Sequence, residues 1–300
     1  MRWSPAPIVV DGLTKRYGDQ VAVDELSFVA DAGRVTGFLG PNGSGKTTTM
    51  KVMLDLAAAD AGAVTIGGIR YRDLASPTSM VGALVESNAF HPGRSGRDQL
   101  RVLADVDGLD SGLVDEVLET VGLADAADRA VGGYSLGMRQ RLGLGCALLG
   151  DPPVLVLDEP ATGLDPKGIR EMRDLLRARA AAGGTVLVSS HLLAEIELLA
   201  DDVVVVNRGR LVAHGALADL REESVLVRCS AADRLVSVVE AAGATVTRDG
   251  EDLIVQGCRE SEVGQLAFDA GIVVHRLQPG SGSLEERFLR WTSTSVEDEP

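Results

Sequence analysis

Hydrophobic spacing changes character partway along the chain. Up to about residue 220, short unbroken apolar runs alternate with segments of helical period. Val154–Leu157 is such a run, of the kind that belongs to strands covered on both faces of a parallel sheet, and Val35–Leu39 reads as a short buried strand. Residues 47–56 can continue as a helix soon after the first run, and the stretch from about 95 to 150 reads as helical. Within it Val114, Val117, Leu118 and Val121 recur at i, i+3, i+4 and i+7, a single apolar stripe best suited to core packing. An apolar helix fits 142–149, and Thr185–Ser190 reads as a strand. The pattern predicts an α/β fold around a parallel sheet.

A different rhythm follows. Ser224–Cys229 alternates like a strand, and Leu235, Val236, Val239 and Ala242 share one helical face. Residues 244–247 and 252–255 flank Arg248-Asp249-Gly250-Glu251, a hairpin signal. Val263, Leu266, Ala267 and Ala270 form a second stripe, and 272–277 a last strand. The order β-α-β-β-α-β is ferredoxin-like, so the chain divides into a first domain over 1–220 and a small α+β domain over 221–292. Ser283 and Glu286 form a capping box for a final helix through Phe288 to Trp291. The acidic end, 293–300, is expected to be disordered. No catalytic constellation stands out in this second part, which suits dimer contact or regulation.

Composition narrows the function. A chain of 300 residues with 45% hydrophobic content can bury a large core, filled by aliphatic side chains because only 3% is aromatic. The net charge of −15, with no basic run, argues against a nucleic-acid partner. Cys146, Cys229 and Cys258 have no metal-ligand spacing and read as idle thiols in a reducing cytosol. The N-terminus lacks the pattern of a signal peptide, and runs such as 203–206 are far too short to cross a bilayer. Any membrane role is therefore expected to come through a separate partner chain.

The chemistry is concentrated in a few segments. Gly40-Pro41-Asn42-Gly43-Ser44-Gly45-Lys46-Thr47-Thr48 fits G-x-x-x-x-G-K-[ST] between a strand and a helix. Glycines let successive amides turn toward phosphate oxygens, and the helix start adds its positive dipole end. Lys46 supplies a cation for the β- and γ-phosphates, and Thr47 a hydroxyl for Mg²⁺. Downstream, the strand Val154–Leu157 ends in Asp158-Glu159-Pro160. Carboxylates at that end of a parallel strand sit beside the phosphate loop, where open α/β sheets bind ligands. Asp158 is suited to Mg²⁺ and Glu159 to accepting a proton from attacking water.

Between these segments lies Tyr134-Ser135-Leu136-Gly137-Met138-Arg139-Gln140-Arg141, and after them Ala161-Thr162-Gly163-Leu164-Asp165 and Ser189-Ser190-His191. The ordered set resembles the ATP-binding-cassette (ABC) family over about residues 7–218. That resemblance implies a P-loop NTPase cassette with a RecA-like core, an N-terminal β-subdomain and a helical subdomain. It further implies a head-to-tail dimer with ATP held between one chain's phosphate loop and the other's signature segment. Ser135 and Gly137 match the signature residues that meet the γ-phosphate, while Leu136 and Met138 depart from the usual L-S-G-G-Q. His191 matches the switch histidine, Asp165 the aspartate coupling the two sites, and Tyr17 the aromatic stacked on adenine. His91, His214 and His275 lack such support and read as structural. Glu86 replaces the Q-loop glutamine, and its carboxylate can still serve Mg²⁺. Val85-Glu86 with Phe90-His91-Pro92 looks like antibiotic- and lipid-exporter cassettes, and 86–103 is where a membrane partner should dock.

The expectation is an ATPase subunit, binding ATP and Mg²⁺, that drives export through separate transmembrane permease subunits. It would pair as a homodimer, with a heterodimer as the alternative, and work in the cytoplasm at the inner face of the cell membrane. A soluble ABC ATPase acting on DNA or ribosomes is the rival reading, but the coiled-coil or zinc inserts and the second cassette of such proteins are missing. Retention of Lys46, Asp158, Glu159 and His191 argues against a non-hydrolysing module.

Overall fold

The computed structural model describes residues 3–85, 90–220 and 224–279. Two compact units part between Ala216 and Leu217. In the first, β1 (Ile8–Tyr17) and β2 (Gln20–Ala30) form an antiparallel pair whose half-alternating burial leaves one face to the core. The next strand, β3 (Val35–Leu39), is buried throughout and runs into the phosphate loop and α1 (Lys46–Met53). That helix stops short of the expected residue 56, because Asp55 turns into the left-handed region at φ 59° and Leu56 faces solvent. β4 (Ala61–Ile66) then pairs with β1 and completes a three-stranded sheet of order β2-β1-β4.

α2 (Pro77–Met80) leads into β5 (Val81–Leu84), and a helical group follows: α3 (Gly96–Asp107), α4 (Gly112–Thr120) and α5 (Leu136–Leu148). The stripe read from the sequence is the buried side of α4, with Val114, Val117, Leu118 and the following Val121 all in the core. β6 (Val154–Leu157), α6 (Pro166–Ala181), β7 (Thr185–Ser190), α7 (Leu193–Glu197), β8 (Asp202–Asn207) and β9 (Arg210–Ala216) complete the unit. The large sheet has the order β5-β6-β7-β3-β8-β9, parallel except for β9. Every residue of β3, β6 and β7 is buried, as expected of central strands covered on both faces. The order makes β6, β7 and β3 neighbours, so their C-terminal ends bring Asp158, His191 and Gly40 to one edge.

The second unit holds α8 (Leu217–Leu220), β10 (Ser224–Cys229), α9 (Ala232–Ala241), β11 (Thr245–Asp249), β12 (Asp252–Gln256), α10 (Glu260–Asp269) and β13 (Val274–Pro279). Its antiparallel sheet, of order β11-β12-β10-β13, is the ferredoxin-like arrangement. Val225, Val227, Leu253 and Val255 meet Leu235 and Val239 of α9 and Val263 and Ala267 of α10 in one core. Ala242, expected on the first stripe, is exposed because α9 ends before it. Ile272, expected to open the last strand, instead closes α10 by donating its amide to the Ala267 carbonyl at 2.9 Å. The helix expected from Ser283 to Trp291 and the acidic end lie outside the described residues, as does Glu86.

Candidate active site

The phosphate loop encloses its own cation. Lys46 Nζ donates to the carbonyls of Gly40 at 2.6 Å and Pro41 at 3.2 Å, and the residue is only 6% exposed. Burial lowers the pKa of its ammonium, opposed by the nearby carboxylates of Glu159 and Asp158. The turn itself depends on Gly45, at φ 100°, where an added Cβ would lie 2.4 Å from the Ala22 carbonyl oxygen. Ser44 Oγ is buried with no hydrogen-bond partner, an orphaned group inside a ring of loop backbone. An orphaned hydroxyl, an amide-rich loop at a helix start and a buried cation together fit a bound phosphate chain.

Asp158 stands opposite. Its Oδ2 accepts a hydrogen bond from Thr47 Oγ1 at 2.6 Å, and its Oδ1 accepts one from Ser189 Oγ. Thr47 and Asp158 thus present paired oxygens, the hard donors that Mg²⁺ takes, so the residues fit that ion. Glu159 follows in the left-handed region at φ 49°, which costs a non-glycine residue about 1–3 kcal/mol and persists only where surrounding contacts hold it. Its amide donates to Ser189 Oγ at 2.9 Å, and its carbonyl accepts from Gln140 Nε2 at 3.0 Å and the Thr162 amide at 3.2 Å. Its carboxylate Oε2 lies 2.9 Å from His191 Nδ1.

These groups surround a cavity of about 330 Å³ lined by Tyr17, Gln20, Ala22, residues 42–48, Asp158 and Glu159. Tyr17 is half-exposed, with Lys15 Nζ 5.2 Å from its ring centroid. The structure therefore brings the phosphate loop, Asp158, Glu159 and Tyr17 to one cavity, and His191 to Glu159.

Ser135, Gly137 and Asp165 do not line that cavity. Ser135 is exposed and caps α5, accepting the Met138 amide at 3.2 Å. Asp165 caps α6 in the same way, accepting the Gly168 amide at 2.9 Å. Gly137 lies so close to the loop before α6 that a Cβ there would sit 2.6 Å from the Gly163 carbonyl oxygen. The glycine is thus needed for packing within its own chain. Sequence reasoning missed the contacts of Ser189 and Gln140. Both are buried polar residues on apolar elements, which was the one available signal.

Comparison with known proteins places the chain in a family. The ABC transporter family profile matches residues 23–162, and that of a domain of unknown function (DUF8746) matches 223–285. The chain is 36% identical over 295 residues to the uncharacterized ABC transporter ATP-binding protein YhcH of Bacillus subtilis, covering 95% of this chain and 96% of that one. It is 35% identical over 289 residues to the bacitracin transport ATP-binding protein BcrA of Bacillus licheniformis, covering 93% and 94%. Among solved structures, the ATP-binding subunit of an ABC transporter superposes with a TM-score of 0.65 at 30% identity, over 71% of this chain and 91% of that one. With the phosphate loop, the carboxylates after β6 and likeness along nearly its whole length, the chain belongs to the ABC transporter ATP-binding proteins and is an ATPase subunit of that family.

Proposed function

We propose that the chain pairs head to tail with a second copy, and that ATP binding and hydrolysis in this pair drive export through separate permease subunits at the inner face of the membrane. The observation that carries the pairing is the separation of its half-sites. Lys46, Thr47, Asp158 and Glu159 share one cavity, whereas Ser135 lies exposed at the start of α5, outside it. Ser135 caps α5 through its oxygen and keeps its O–H free to donate, which beside the helix N-terminus suits a partner's phosphate. Among the described residues no helix is long and apolar enough to cross a membrane, and this supports a partnership with separate permease chains. Export is favoured by likeness to the Nod factor export ATP-binding protein I of Burkholderia orbicola, 40% identical over 74% of this chain and 75% of that one.

The geometry supports the following division of roles, with that of Asp165 taken from the family resemblance. The phosphate-loop amides and Lys46 hold the β- and γ-phosphates, and Tyr17 offers a ring face at the cavity rim for adenine. Thr47 and Asp158 would hold Mg²⁺, which offsets phosphate charge. Glu159 accepts the proton of the attacking water, and His191, bonded to Glu159 Oε2, fixes that carboxylate and stands ready for the γ-phosphate. Asp165 links the two sites across the pair.

Ser135→Arg tests the pairing. Nucleotide affinity of the single chain should stay within about twofold, while turnover falls more than roughly tenfold because the partner's phosphate no longer fits. A loss of affinity like that of a phosphate-loop variant would put Ser135 in its own chain's site. Recovery of a multi-span membrane protein with the chain from detergent-solubilised membranes tests the permease partner, and its absence would favour a soluble role.

A further inference from the structure

We propose that Ser189 is a positioning residue whose single hydroxyl sets both the Mg²⁺ carboxylate and the backbone of the general base. The inference rests on reading the site as a Mg²⁺-dependent ATPase. Ser189 lies near the end of β7, fully buried, between the strands that carry Asp158 and the phosphate loop. Its Oγ–H donates to Asp158 Oδ1, while Thr47 Oγ1 donates to Oδ2 at 2.6 Å. The carboxylate is therefore held at Oδ1 independently of Thr47, which would keep Oδ2 oriented for Mg²⁺ held by Thr47 and Asp158.

The same Ser189 oxygen accepts the Glu159 amide at 2.9 Å. That amide belongs to the residue at φ 49°, so the bond pins the turn that aims the Glu159 side chain. Gln140 Nε2 holds the other end of the peptide through the Glu159 carbonyl at 3.0 Å. Ser189 is wholly buried, so losing its hydroxyl leaves the Glu159 amide and Asp158 Oδ1 each without that partner. A cavity of about 240 Å³ opens beside Ser189 among Ile169, Met172, Val188 and Ile196. Ser189→Thr keeps the hydroxyl that makes both bonds and adds a single methyl, which makes it the rescue variant.

The experiment is equilibrium binding of a fluorescent ATP analogue to the full chain across a series of Mg²⁺ concentrations, with steady-state turnover alongside. Ser189→Ala should raise the Mg²⁺ needed for half-saturation by about tenfold, the usual cost of losing a group that orients a metal ligand. Analogue affinity without Mg²⁺ should be unchanged, and kcat should fall about tenfold with little change in KM. Ser189→Thr should restore both, which simple loss of packing does not explain. If the alanine chain does not fold, Ser189→Cys, a weaker donor, should show a smaller shift in the same direction. A Mg²⁺ dependence unmoved by Ser189→Ala, or a threonine variant as impaired as the alanine one, would overturn the proposal. Wild-type binding that ignores Mg²⁺ would overturn the underlying reading of the site, and the proposal with it.

Discussion

At Lys46 burial and charge pull in opposite directions. The side chain has lost most of its water, yet two loop carbonyls and the field of Asp158 and Glu159 keep a cation there in demand. Lys46→Ala should leave the fold intact and weaken ATP binding by about ten- to a hundredfold, the worth of a charge-assisted hydrogen bond. Isothermal titration checks this, and unchanged affinity would move the phosphates elsewhere. The phosphate loop and the two carboxylates were legible because their spacing alone encodes strand, loop and helix. Ser189 was not, since its partners at 158 and 159 depend on β7 lying beside β6, a pairing that spacing does not reveal.

Elements set where the half-sites end up. α5 begins at Leu136 with Ser135 as its cap, and Gly137 in its first turn rests against the loop before α6. Gly137→Ala should push these apart and lower stability by about 1–3 kcal/mol, as overpacking does. A melt without nucleotide checks it, and an unchanged Tm would mean the loop yields freely. Strand and helix existence followed from period, but boundaries did not. α1 ended early at a left-handed Asp55, and Ile272 proved to close α10 rather than to open β13. Local backbone bonds, invisible to periodicity, decided both.

At the scale of the whole molecule the chain divides into two compact units. In the second, Arg228 of β10 binds Asp252 of β12 through two bonds at 2.7 and 3.0 Å, with Arg276 of β13 at 3.5 Å. Arg228 holds the Asp252 carboxyl below its usual pKa. A depressed carboxylate contributes stability above its unfolded pKa and loses it as pH falls through the folded one. Asp252→Asn should therefore lower the melting temperature at neutral pH, and the gap from wild type should close below about pH 4. A gap that persists in acid would assign the effect to something other than charge. The ferredoxin-like order was legible in the sequence because each apolar stripe and the two-residue turn at Gly250-Glu251 match it, but the task of this unit was not, since it carries no chemistry to read. The central claim is that one chain's Glu159 is the base of a site completed by a second chain. Glu159→Gln, examined by ATP titration, turnover and light scattering with Mg²⁺-ATP, tests it most directly. The account predicts wild-type affinity, turnover reduced by about a hundredfold or more, and an ATP-bound dimer that no longer dissociates. Near-normal hydrolysis, or a chain that stays monomeric with ATP bound, would contradict it.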